Sequence, residues 1–146
     1  MKTTIALIIT VALAAPEWMV NFDNAKATAA RDHKFILLNF SGSDWCGPCI
    51  KMKKEVFESD AFRSIAEDQL VLVRADFPRT KKNQLSKEQT QHNERLAEIY
   101  NPDGKFPFTL LLNSEGQVIK KWDGYSFESQ DAFIKDLNTT IVALKK

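Results

Sequence analysis

The chain has 146 residues, enough for one domain that buries a self-sufficient core. Its 20 basic and 19 acidic side chains leave a formal charge of +1, and 44% of its residues are hydrophobic, the composition of a globular protein. So even a balance excludes the basic footprint of a nucleic-acid binder and the basic stripe of a membrane-surface protein.

In chain order, Lys2 precedes an uncharged apolar run from Ile5 to Ala15 that contains Ala12-Leu13-Ala14, a small-x-small cleavage pattern, and Pro16-Glu17 closes it. Residues 1–15 read as a signal peptide and 16–146 as the folded domain. The run is short for a bilayer span, so a retained anchor is the lesser alternative. Cleavage would remove Lys2 alone among the charged residues and bring the formal charge to zero. Export would also place the chain's two cysteines, Cys46 and Cys49, where no cytosolic thiol pool keeps them reduced.

Trp18 to Phe22 is apolar-rich, and Asp23 or Asn24 can cap a helix running to about Asp32. The run Phe35 to Phe40 is apolar at every position except Asn39, the pattern of a strand buried on both faces. Asp44-Trp45-Cys46-Gly47-Pro48-Cys49 follows, and Cys49, Met52 and Val56 then recur at helical spacing. A helix beginning at Cys46 or Gly47 turns its unpaired N–H groups and positive dipole end toward Cys46, which favours thiolate over thiol. Cys49, one turn on, shares that face and can close a disulfide without backbone movement. Pro48 suits an early helical position, and Gly47 lets another backbone approach the sulfur. Lys51, Lys53 and Lys54 either raise the potential near Cys46 or form an ordinary solvated helix face.

Ser59 or Asp60 can cap a short helix through Phe62 and Ile65, and Leu70 to Phe77 is a second buried strand, ended by Pro78. Residues 79–93 are polar. Ser86 with Gln89 fits a capping box for a helix reaching Tyr100, broken by Asn101-Pro102-Asp103-Gly104. Phe106 to Asn113 and Gln117 to Trp122 read as a hairpin around Ser114-Glu115-Gly116, and a last amphipathic helix carries Phe133, Leu137 and Ile141. The segment from Pro78 to Asn93 carries no cysteine and reads as surface, either a solvated connection or a region that tunes partner choice.

Three other uses of the cysteine pair fit poorly. Zinc needs two further ligands, and His33 and His92 stand far apart in sequence; no metal is expected. Attachment of a c-type haem needs histidine where Ile50 stands. A staple closing so short a loop removes little unfolded-chain entropy. Two-electron exchange between a dithiol and a disulfide remains.

Strand, Trp45-Cys46-Gly47-Pro48-Cys49, helix, strand, helix, then a strand opening at Phe106-Pro107 and its hairpin partner resembles the thioredoxin family over nearly the whole mature chain. The resemblance implies an α/β, thioredoxin-like fold, a central mixed β-sheet flanked by helices. It also implies Cys46 as attacking cysteine, Cys49 as resolving cysteine and Pro107 as a cis residue beside them. Trp45, Gly47, Pro48, Phe106 and Pro107 would then contact the substrate. Asn39 stands in the place of that family's buried acid, where it would tune or carry proton transfer; Ser41-Gly42-Ser43-Asp44 is about one residue longer than that family's loop. The expected activity is that of an exported, periplasmic or extracellular, monomeric thiol–disulfide oxidoreductase without cofactor. A Gly-Pro pair between the cysteines resembles the family's reducing members. Its partners would be disulfide-bearing client proteins or small disulfides, with a membrane reductase as electron donor. An oxidant or isomerase of secreted proteins, or a non-catalytic binding module of the same fold, are the competing expectations.

Overall fold

In the computed structural model, which describes residues 15–126 and 130–146, helices cover both faces of a mixed five-stranded sheet. Most of the expected signal peptide, residues 1–15, lies outside the described residues. The elements are β1 (Trp18–Met19), α1 (Phe22–Asp32), β2 (Phe35–Ser41), α2 (Gly47–Met52) running into a π-helical turn (Lys53–Phe57), α3 (Asp60–Gln69) and β3 (Leu70–Asp76). A 3-10 turn (Lys81–Asn83), α4 (Lys87–Tyr100), β4 (Phe108–Leu112), β5 (Val118–Asp123) and α5 (Gln130–Leu144) complete the chain. In the order β1-β3-β2-β4-β5, β1 and β2 run parallel to β3, while β4 runs antiparallel to both β2 and β5. This is the expected thioredoxin-like α/β architecture.

Local chemistry sets most boundaries. Asn21 rather than Asp23 or Asn24 caps α1, its Oδ1 accepting the Asn24 N–H at 2.9 Å, so the helix opens on buried Phe22. The remainder of the apolar 18–22 segment is an edge strand that pairs Trp18 with Leu72. Ser59 and Ser86 cap α3 and α4. The Gln89 side chain does not return to Ser86 as a capping box requires; its Nε2 donates to the Val20 carbonyl at 2.9 Å and to Asn93 Oδ1 at 2.8 Å. The π-helical turn after α2 was not legible as a periodicity break. It lets adjacent Val56 and Phe57 both enter the core with Met52.

β2 divides the core. Ile36, Leu38 and Phe40 face α1 and α4 among Phe22, Ala25, Ala29, Val71, Val73, Leu96 and Leu110. Leu37 faces the other way, with Met52, Val56, Phe62, Leu111, Phe133, Leu137 and Ile141. By strand alternation Asn39 belongs to this second face, under α2. After α4, buried Asn101 clips its own loop: Nδ2 donates to the Lys105 carbonyl at 2.8 Å and Oδ1 accepts the Lys105 N–H at 2.9 Å. The clip leads the chain into Phe106–Pro107, a cis peptide bond at the head of β4. Asn101→Ala strands two backbone polar groups and should destabilise the fold by about 2 kcal/mol. Urea titration is expected to show a lower midpoint with an unchanged slope.

Candidate active site

β2 is hydrogen-bonded along both edges, so its last residue, Ser41, delivers the following loop to a fixed place at one end of the sheet. The loop turns tightly, with the Trp45 and Cys46 N–H groups both donating to the Gly42 carbonyl at 3.2 and 2.9 Å. A Cβ on Gly42 would overlap the Trp45 indole, so only glycine lets the ring lie back over the turn. Cys46 is the N-cap of α2: extended, at φ −91° and ψ 101°, with Sγ accepting the Cys49 N–H at 3.2 Å. Pro48 lies in the first turn, where its missing N–H forfeits no helix bond.

Cys46 and Cys49 form a disulfide with Cα atoms 5.2 Å apart. Both are buried, at 5% and 4% exposure, while Gly47 and Pro48 between them are exposed. Exposure therefore does not rank the two sulfurs. Their positions do: Cys46 Sγ sits at the helix start and accepts an N–H that would stabilise a thiolate, whereas Cys49 lies inside the first turn.

Of the substrate-contact candidates, Trp45 and Phe106 meet edge to face at 5.3 Å, which brings the cis Phe106–Pro107 segment against the loop that carries Cys46. Buried Pro107 is tied through its carbonyl to the Gly124 N–H at 2.9 Å. Asn39 is buried and opposite Thr109 in register; its Nδ2 donates to Thr109 Oγ1 at 3.0 Å, and Thr109 Oγ1 lies 3.9 Å from Met52 Sδ on α2. Asn39 thus connects to the active-site helix through Thr109. On its other side Asn39 pairs in register with Arg74, whose guanidinium lies over the Trp18 ring at 4.1 Å and whose Nε has no partner among the described residues. Burial pushes the Arg74 pKa down, against the pull of Asp76 and Glu58. Along the outer side of this helix Lys51 pairs with Glu55 at 3.5 Å and Lys53 with Glu58, while Lys54 is exposed.

The contacts that hold this loop to the chain after β3 were not foreseen from sequence. Asp44 Oδ1 accepts the Arg79 N–H, and Oδ2 accepts the Thr80 N–H and the Asn83 side-chain amide, at 2.9 to 3.1 Å. Trp45 Nε1 donates to the Phe77 carbonyl at 2.7 Å, and the Arg79 guanidinium stacks on the indole at 3.8 Å. Phe77 packs on Phe106 at 5.5 Å and closes the aromatic group. Ser43 donates from its backbone N–H and Oγ to Asp76. The available signal was Asp44 itself, a turn-former with no helix to cap, followed by a polar segment long enough to return to it.

A thioredoxin-like family model matches residues 17–114, and the chain belongs to that family. Among curated proteins, it is 36% identical over 111 residues to a disulfide bond reductase, DsbH, of Chlamydia pneumoniae, across 76% of this chain and 64% of that relative's length. A solved structure described as DsbH oxidoreductase superposes with a TM-score of 0.75 at 30% identity, covering 95% of this chain and 94% of the other. A thioredoxin from Thermus thermophilus shares the fold, with a TM-score of 0.64 at 16% identity over 86% of this chain and 87% of that one.

Asp44 also generates a pH prediction. The Arg79 N–H, foremost, with the Thr80 N–H and the Asn83 amide holds its pKa well below the usual carboxylate range, against a desolvation that raises it. A depressed folded-state value stabilises the fold above the unfolded value of about 3.9, and that stabilisation is lost as pH falls below it toward the folded value. Asp44→Asn removes this titration. Urea midpoints between about pH 7 and about pH 2 should fall less steeply for the variant than for the parent chain.

Proposed function

We propose that this protein is an exported thiol–disulfide oxidoreductase that works chiefly as a disulfide reductase. The observation that carries the reading is the Cys46–Cys49 disulfide at the start of α2, with the Phe106–Pro107 segment packed against its loop. The similarity to DsbH supports the direction, and the apolar run from Ile5 to Ala15 supports export. In the reduced protein, Cys46 thiolate attacks one sulfur of a client disulfide and expels the other as a thiolate, forming a mixed disulfide. Cys49 thiolate then attacks Cys46 Sγ, releasing the second client thiolate, so two electrons pass to the client and the Cys46–Cys49 disulfide is restored. Trp45, Gly47, Pro48, Phe106 and Pro107 form the surface that receives the client backbone. Disulfide-bearing proteins or small disulfides are the substrates, and a dithiol donor, a membrane reductase by this reading, resets the pair. The protein acts as a monomer.

Insulin precipitation with dithiothreitol as reductant tests the activity. Cys46→Ser should abolish turnover; Cys49→Ser should lose it and, incubated with client in the absence of dithiothreitol, should accumulate mixed disulfides that vanish on reduction. The Cys46–Cys49 reduction potential should lie near the roughly −270 mV of thioredoxin; a value near −120 mV would instead make the protein an oxidant.

Asn39 takes no proton, because an amide does not ionise, so proton transfer during resolution depends on the cysteines and on water. Asn39→Asp places a carboxyl in the buried position and should raise its pKa above the ordinary value, with neighbouring Arg74 opposing part of that rise. With a raised folded-state value, the variant should match the parent's stability in acid and lose stability as pH rises through that value. A new ionisation in the pH–rate profile of resolution should accompany the loss.

A further inference from the structure

Segment 77–83 is built against the active-site loop more firmly than a solvated connection requires. Asp44 holds the Arg79 and Thr80 backbone and the Asn83 side chain, and Trp45 holds the Phe77 carbonyl. The Phe77 N–H in turn donates to the Ser41 carbonyl at 2.9 Å. These bonds hold beside the active-site loop a segment with three exposed cations, Arg79, Lys81 and Lys82, the first of them over the ring of Trp45, the residue that precedes Cys46.

Resting on the oxidoreductase reading above, we propose that this segment is a client-selecting lip that favours polypeptide disulfides flanked by acidic side chains. None of the three cations has a carboxylate partner among the described residues, unlike Lys51, Lys53, Lys105 and Lys120. Both oxygens of Asp44 accept hydrogen bonds from the segment's N–H groups and both oxygens of Asp76 accept from Ser43, so neither carboxylate forms an ion pair with a lip cation, and three positive charges stand against the one of Asp44 that lies within the lip. Stacking on the indole uses the face of the Arg79 guanidinium and leaves its N–H edge to meet a carboxylate. Trp45 holds that guanidinium in place, so less side-chain entropy is lost when an acidic residue docks than with a free arginine. The chain as a whole is nearly neutral, so this selectivity comes from a local arrangement beside the disulfide and not from a general attraction to anions.

The test uses three synthetic peptides, each with one intramolecular disulfide flanked by Glu, Gln or Lys, and the rate at which the reduced protein reduces each. The Glu peptide should react about tenfold faster than the Lys peptide at low ionic strength, and the gap should narrow as salt is added. Lys81→Gln with Lys82→Gln, outside the catalytic machinery, should leave the Gln-peptide rate unchanged and shrink the gap about threefold. Adding Arg79→Gln should close it. Arg79→Lys, which keeps the charge but not the stacked fork, should preserve only part of the Arg79 contribution. Equal rates for the three peptides, or a preference for Glu that survives all three substitutions, overturn the lip. Reduction of the Gln peptide sustains the oxidoreductase reading whichever way the charge series falls. No reduction of any peptide sinks that reading, and the lip with it.

Discussion

Strand β2 is bonded to β3 on one edge and to β4 on the other, and is buried on both faces. Its backbone has no freedom to slide, because a one-residue slip would exchange Ile36, Leu38 and Phe40 with Leu37 and Asn39 between two separately packed cores. Everything chemical follows from that. The loop leaving Ser41 starts from a fixed point, α2 begins within a few residues of it, and the head of β4, with its cis proline, is held next to the same point by the register of Phe40 with Phe108. The two cysteines need only be three residues apart; the sheet brings the loop that carries them against Phe106, at the cis bond.

The loop itself is fixed by a second layer of contacts that the family pattern does not announce. Gly42 gives the Trp45 ring its room, Phe77 accepts its N–H, and Phe106 and Arg79 pack against it. A tryptophan held at its edge, face and polar tip is a rigid wall beside Cys46, and in the proposed function this would limit the ordering cost of binding a client. Asp44 does the same for the segment after β3. The consequence is that residues remote in sequence from the cysteines are part of the surface around them.

Beneath the site a row of polar residues crosses the three central strands: Arg74, Asn39 and Thr109, adjacent on β3, β2 and β4. Asn39 and Thr109 satisfy each other, and Met52 sulfur takes the remaining contact. Arg74 finds an aromatic face instead of an acid. A carboxylate at Asn39 would give this row an ionisable centre; the amide keeps it neutral except for the arginine.

The sequence alone determined the buried strands, because continuous apolar runs leave no solvent-facing side, and it narrowed the α3 cap to Ser59 or Asp60 and offered Ser86 for α4, because capping is a contact between near neighbours in the chain. It also located the cysteine pair, through a motif whose spacing is local, while the cis Pro107 was implied only by the resemblance to the thioredoxin family. The start of α1 at Asn21 and the pairing of Trp18–Met19 with β3 were decided by the fold, since each depends on what the rest of the chain offers to an otherwise ambiguous segment. The π-helical turn is of the same kind, set by the need to bury two adjacent apolar residues. Least legible were the bonds from Asp44 and Trp45 to residues 77–83. They join positions more than thirty residues apart through side chains that, read in sequence, have many equivalent surface uses, and only the tertiary structure selects one by bringing the end of β3 beside the end of β2.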